Sequence, residues 1–277
     1  MCKNGRIRGV NIKHPPSRRM QCRVCDMVNN QKSGIRSVQK HIDQILYEDR
    51  QNSSSMDAIG PIKASRWGHR FAQLLTFYGC RKGSKRVPVR YVFVYPVRSL
   101  DGRKTRECIE HSLWYLDSHF DIKVTHIHFD NAAYYKSPEV KECQREWSPR
   151  WHATYAPKYT PIKNRHAEKT THLIVLMALR FMVRGGAPAW AWPLALIYAA
   201  YCYNRIGSDR GMGPSPLELA SGVVPDGSML RVFWSPCFPL VHKEQGRGKF
   251  EPRSRGSMTM PCRFCGICDA APAFFPD

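Results

Sequence analysis

The stretch "HIHFDNAAYYKSPEV", residues 126–140, runs from an apolar segment straight into Asp130 and Asn131. Turn chemistry accounts for an Asp-Asn pair, because both side chains hydrogen-bond local backbone and tolerate turn geometry. A divalent metal accounts better for a carboxylate at the end of a buried strand, but only if partner carboxylates stand elsewhere in the chain. The two tyrosines and the lysine that follow do not decide between them. The reading of the whole chain therefore becomes a search for partners.

The chain has 277 residues, enough for one large or two small domains. Its 43 Lys and Arg outnumber 22 Asp and Glu, a formal charge of +21. Such a field attracts polyanions, either nucleic acid or an anionic membrane surface. The apolar run 173–183 is too short to cross a bilayer, and 187–203 is interrupted by Pro193. The opening "MCKNGRIRGV" lacks the apolar core of a secretory signal. Without one, the 11 cysteines read as reduced thiols or metal ligands rather than a disulfide framework. Nucleic acid is the expected partner, with no membrane and no secretion.

Along the chain, residues 1–52 form a basic segment with one Cys22-x-x-Cys25 pair, and the polar stretch "EDRQNSSSMD" reads as a boundary. "RFAQLLTFY" (70–78) and "VRYVFVYPV" (89–97) have strand composition, with a basic loop between them. "TRECIEHSLWYLDSHF" (105–120) places Ile109, Leu113, Leu116 and Phe120 at helical spacing. "IKVTHIHF" (122–129) reads as a strand buried on both faces. A short strand is expected at 151–157, a long helix at 164–183 closed by Gly185-Gly186, and a second helix at 190–204. This order implies an α/β layered domain.

Two partner acids present themselves. Asp57 lies in "MDAIGPI", just before the first clear strand, and Glu168 lies in the first turn of the long helix. Together with Asp130 they could converge above a sheet edge. Oxygen-seeking Mg²⁺ needs only a few carboxylates when phosphates complete its shell. On spacing alone this is weak evidence, since most Asp and Glu residues are simply solvated.

In five segments and in order, the chain resembles the integrase of copia-type retrotransposons, a member of the retroviral integrase superfamily. The segments are "DAIGPIKASRWGHRF", "FDNAAYYKSPEV", "APKYTPIKNRHAEKTTHLIVLMALRFM", "AWPLALIYAAYCYNRI" and "SPLELASGVVPDGSMLRVFW". The resemblance implies an RNase H-like fold, a mixed sheet flanked by helices, with a basic N-terminal remnant and an irregular C-terminal tail. It implies three parts: a truncated segment at 1–52, the catalytic core at 53–206, and a copia-type extension and tail at 207–277.

The same resemblance implies that Asp57, Asp130 and Glu168 are the catalytic metal ligands, with 37 residues between the last two. Mg²⁺ or Mn²⁺ held there would activate a water or a DNA 3′-hydroxyl for in-line attack on phosphate. Asn131, Asn164, His166 and Lys169 are implied contacts to DNA, both element ends and target duplex, mainly through the phosphate backbone. A homo-oligomer in the nucleus or in an intracellular element particle follows from the same likeness. The sequence departs from the family where paired glycines are Ala132-Ala133 and where the helix glycine is Arg165.

The family's N-terminal domain binds Zn²⁺ through two histidines and two cysteines. Cys22 and Cys25 match its second half, but only His14 precedes them, so a truncated domain and a Cys2–His14 substitute are both open. Cys262, Cys265 and Cys268 in the tail lack the fourth ligand and the Cys-Pro of an iron–sulfur site, and read as free thiols in a frayed end. Two functions remain: a polynucleotidyl transferase that cuts and joins DNA, and a catalytically inactive nucleic-acid-binding relic. A ribonuclease of the same fold leaves the Leu230-Arg231-Val232-Phe233 segment unexplained.

Overall fold

The computed structural model describes residues 24, 28, 52–79, 89–156, 165–206, 213–238, 240, 262–268 and 271–275. Cys22, Cys25 and Asn164 lie outside the described residues, as do the side chains of 165–167, 268 and 271–275.

Three strands open the core: β1 (Ser53–Ile59), β2 (Phe71–Gly79) and β3 (Val89–Val97), paired antiparallel in succession. The first of them corrects the sequence reading. The serine-rich stretch that reads as a boundary, with Asp57 ahead of the first strand, is itself the central strand. Serine has weak strand preference, but β1 is paired on both sides, and Ser54 and Met56 alternate into the core. Tertiary pairing overrides local composition here. β2 shows the near-continuous burial of a strand covered on both faces.

Helix α1 (Gly102–Phe120) crosses the sheet, capped by Asp101, whose Oδ1 accepts from the Lys104 amide at 2.8 Å. It ends on Asp121 in the left-handed conformation. The chain then enters β4 (His126–Phe129), parallel to β1. This strand is half the expected length: Ile122 and Val124 are buried in the core without pairing. A short 3₁₀ turn leads into α2 (Pro138–Glu146), a helix absent from the sequence expectation, with Ser137 as N-cap and Pro138 at its first position. β5 (His152–Tyr155) adds in parallel to β4, giving the sheet order β3-β2-β1-β4-β5.

Two long helices cover the other face: α3 (Arg165–Gly185) and α4 (Trp192–Arg205), followed by the short α5 (Pro216–Ser221) with a Ser215–Glu218 capping box. The result is a mixed sheet between helical layers, the RNase H-like arrangement expected. Met56, Leu75, Phe77 and Phe93 face α1, while Ala72, Leu74 and Val92 face α3 and α4.

The described residues of the C-terminal region are paired rather than frayed. β6 (Pro236–Cys237), β7 (Cys262–Cys268) and β8 (Ala271–Phe275) form a second antiparallel sheet. Phe264, Cys265 and Ile267 are buried in the same cluster as Tyr198 of α4 and Phe233. Cys262 is a free thiol, as expected, and so is Cys237, whose Sγ donates to the Cys262 carbonyl. Phe233, 1% exposed, sets its carbonyl against Gly185, where a Cβ would collide with it. The Tyr198 hydroxyl donates to the Arg231 carbonyl at 2.7 Å. Through these contacts the Leu230–Phe233 segment ties the extension to α3 and α4.

Candidate active site

The register of two parallel strands decides the position of the first two acids. Met56 of β1 is paired with Phe129 of β4, so Asp57 and Asp130 each follow a registered pair on neighbouring strands. Adjacent strands lie about 4.8 Å apart, and residues level with each other in parallel strands share a face. Met56 and Phe129 point to the α1 side, which turns Asp57 and Asp130 toward α3. Both stand at the carboxyl ends of their strands, where open α/β sheets place ligands.

Helix α3 brings the third acid. It packs on β1 and β2, with Ile174 fully buried against Leu74 and Thr170 hydrogen-bonded to the Tyr78 hydroxyl at 3.1 Å. Glu168 and Thr171 are three apart and so share the face toward β1. Glu168, one turn from the helix start, is exposed, whereas Thr171 is buried beside the Asp57 carboxylate.

Burial raises the Asp57 pKa above the usual carboxylate value, and the charges of Asp130 and Glu168 raise it further. The nearby Thr171 hydroxyl and the Ala58 amide, which donates to Oδ1 at 2.9 Å, pull the other way. Thr171 Oγ1 nonetheless completes no hydrogen bond of good geometry. Each of the other two acids is thus near enough to act on Asp57 electrostatically. Asp130 also fulfils the turn reading, since its Oδ1 accepts from the Ala132 amide at 2.9 Å. Turn and site are the same residue.

No ion pair among the described residues involves any of the three acids. The donors are all carboxylate oxygens, the kind a hard divalent cation takes. They fit such an ion in type, but among the described residues no three His, Cys, Asp or Glu side chains stand close enough together to hold a metal.

No family model matches the chain. Over 177 residues it is 27% identical to the retrovirus-related Pol polyprotein from transposon RE2 of Arabidopsis thaliana, a stretch covering 64% of this chain. Over that stretch the chain is similar to a retrotransposon-encoded polyprotein. It spans only 11% of that polyprotein's length. Among solved structures, the simian T-cell lymphotropic virus intasome aligns with a TM-score of 0.48 at 12% identity, covering 82% of this chain and 76% of that one. The HTLV-2 integrase catalytic core domain, solved in complex with magnesium in a trimeric form, aligns at 0.42 and 12% identity, over 62% of this chain and 97% of that one.

Around the three carboxylates, other expected residues divide. Asn131 is turned toward Lys136, whose ammonium donates to Asn131 Oδ1 and lies 5.1 Å from the Tyr155 ring centre. Lys169 is exposed on the first turns of α3. His166 is in the first turn of the same helix. Sequence reading passed over Thr171 and Tyr134. Burial, followed by the Asp130 and Asp57 charges, pushes the Tyr134 hydroxyl up to about 12, so it remains a protonated neighbour of the acids. Its signal was available in the sequence: an aromatic hydroxyl four residues after a candidate metal ligand. No described helix is long and apolar enough to cross a membrane.

Proposed function

We propose that this chain is the core of a divalent-metal-dependent polynucleotidyl transferase that cuts and joins DNA, with Asp57, Asp130 and Glu168 as its catalytic residues and metal ligands. The observation that carries this reading is the level placement of Asp57 and Asp130 on parallel strands, with Glu168 on the helix that packs over them. Three like charges, with no cation paired to them among the described residues, lack a counter-charge that Mg²⁺ or Mn²⁺ would supply. Asp57, Asp130 and Glu168 would hold such ions, which would supply charge neutralisation at a phosphodiester and activation of the attacking oxygen. The protein's own part is to orient. The Ala58 and Ala132 amides fix one oxygen each on Asp57 and Asp130, and the covered floor under Asp57 keeps its charge poorly solvated until a cation arrives.

Lys169, exposed beside Glu168, is assigned a phosphate contact in this reading, and Asn131, Asn164 and His166 join it in contacting DNA by resemblance. DNA ends and target duplex are the substrates in this reading, the working form is a homo-oligomer, and the site of action is the nucleus or an element particle. Zn²⁺ at Cys22 and Cys25 belongs to the same reading.

The test is a strand-cleavage and strand-transfer assay on short duplex DNA with Mg²⁺ or Mn²⁺, wild type beside Asp130→Asn. Products from the wild type and none from the variant support the reading, and equal products from both overturn it. The inactive relic is favoured by two observations: the acids are not drawn into a closed ligand set, and Asn131 is taken up by Lys136. Duplex binding without metal-dependent products would establish it.

A further inference from the structure

Between Asp57 and Asp101 the chain carries nine Lys and Arg and no acidic residue. The fold gathers part of this excess at one place. The β1–β2 hairpin, residues 60–70, leaves the sheet at the end where Asp57 stands, and Arg98 at the end of β3 lies against it. Lys63, Arg66, Arg70 and Arg98 are all exposed. Lys63, Arg70 and Arg98 take part in none of the ion pairs among the described residues.

The hairpin is also built to keep its shape. The Ile62 amide donates to the Arg70 carbonyl at 2.7 Å and the Ser65 amide to the His69 carbonyl at 2.9 Å. The buried Ser65 hydroxyl accepts from the Trp67 and His69 amides, and Gly68 turns the chain at φ +81. Arg98 Nε donates to the Trp67 carbonyl at 3.0 Å. From the helical layer, Trp192 Nε1 donates to the Lys63 carbonyl at 3.0 Å, and Trp190 packs edge-on against Trp67. The helices that fasten the hairpin are those on the carboxylate face of the sheet. Loops anchored in this way present their cations without an ordering cost when a ligand arrives.

We propose that this hairpin, with Arg98, is a phosphate-binding rim that seats the backbone of duplex DNA beside the three acids. The proposal rests on the DNA reading above and extends it to residues outside the resemblance's contact set. Burial, then the Arg98 charge, lowers the His69 pKa, which leaves the four exposed cations as the charge of the rim at neutral pH. Contacts of this kind hold the duplex in register and carry no base sequence.

The experiment measures binding of a short blunt duplex DNA by fluorescence anisotropy between about 50 and 200 mM salt. The test variant is Lys63→Gln/Arg70→Gln, whose side chains are exposed and whose hydrogen bonds to the fold, among the described residues, run through their backbone atoms. The control is Arg103→Gln/Lys104→Gln on α1, which removes the same charge from residues paired to Glu107. Loss of two phosphate contacts weakens binding about tenfold and lowers the slope of log K against log salt by about two. The control keeps its slope, and Lys63→Arg/Arg70→Lys keeps both affinity and slope. Equal losses in test and control, or wild-type binding by the test variant, overturn the rim. If the test variant loses binding while the wild type shows no metal-dependent products, the rim stands and the transferase reading falls. If the wild type cleaves DNA and the test variant binds unchanged, the reverse holds.

Discussion

The two faces of the sheet handle charge in opposite ways. On the α1–α2 face, Arg106 lies 2.7 Å from each of Glu110, Glu142 and Glu146, and Lys104 pairs with Glu107 at 2.6 Å. That surface is neutralised from within, and its ion pairs tie one helix to another. On the α3 face, Asp130 and Glu168 both act on Asp57, and none of the three has a cation paired to it among the described residues. The same side-chain chemistry serves as fold support on one side and as an open demand for charge on the other. What separates the two is partners, not residue type.

The largest expected effect tests that difference directly. Asp130→Asn and Glu168→Gln should each bring metal-dependent DNA cleavage to background while leaving duplex affinity equal or slightly higher. Glu139→Gln, on the exposed start of α2, should leave cleavage near the wild-type rate. Equal losses at Glu139 and Asp130 would mean general destabilisation, and the contrast between the faces would fail.

Next come two stability effects on the carboxylate side. Phe233→Ala should cost about 3–5 kcal/mol, because a fully buried ring leaves a cavity between α3, α4 and the C-terminal sheet. Val232→Ala, at 54% exposure, should change stability by less than about 0.5 kcal/mol. Asn204→Leu should cost about 2–4 kcal/mol, since Asn204 bonds both the amide and the carbonyl of Val92 on the edge strand β3. Urea denaturation measures all three.

A smaller effect sharpens the comparison by pH. Asp57 has a raised pKa in the fold, mainly from burial, so the folded chain holds that proton more tightly than the unfolded chain. Its contribution to stability is therefore lost as pH rises from the unfolded value near 3.8 through the raised one. In metal-free buffer at pH 7, Asp57→Asn should melt higher than wild type, with the difference vanishing by about pH 4. Added Mg²⁺ should raise the wild-type Tm and leave the variant unmoved. A lower Tm for the variant at pH 7 would mean that the acid is satisfied by the protein itself.

The smallest effect lies on the other face. Arg106→Gln should cost no more than about 1 kcal/mol, because its partners are largely exposed and surface ion pairs contribute little. Cleavage should not change. A large loss of cleavage in this variant would break the division between the faces.

By itself, the sequence determined the local periods. The apolar spacing of α1 and α3 and the strand composition of β2 and β3 were legible because each depends on residues within a few turns of one another. The serine and glycine that shape the first hairpin, Ser65 and Gly68, were also visible in the chain, though not what they hold in place. Only the tertiary structure decided that the serine-rich stretch is the central strand, since its pairing comes from β2 and β4 rather than from its own propensity. It alone set Met56 level with Phe129, the register that carries Asp57 to Asp130. It also folded the cysteine-bearing tail onto α4, where burial of Phe264 and Ile267 supplies what their local sequence does not. Side-chain type is written residue by residue. Which residues share a face depends on pairings between segments far apart in the chain, and those are settled only when the whole core closes.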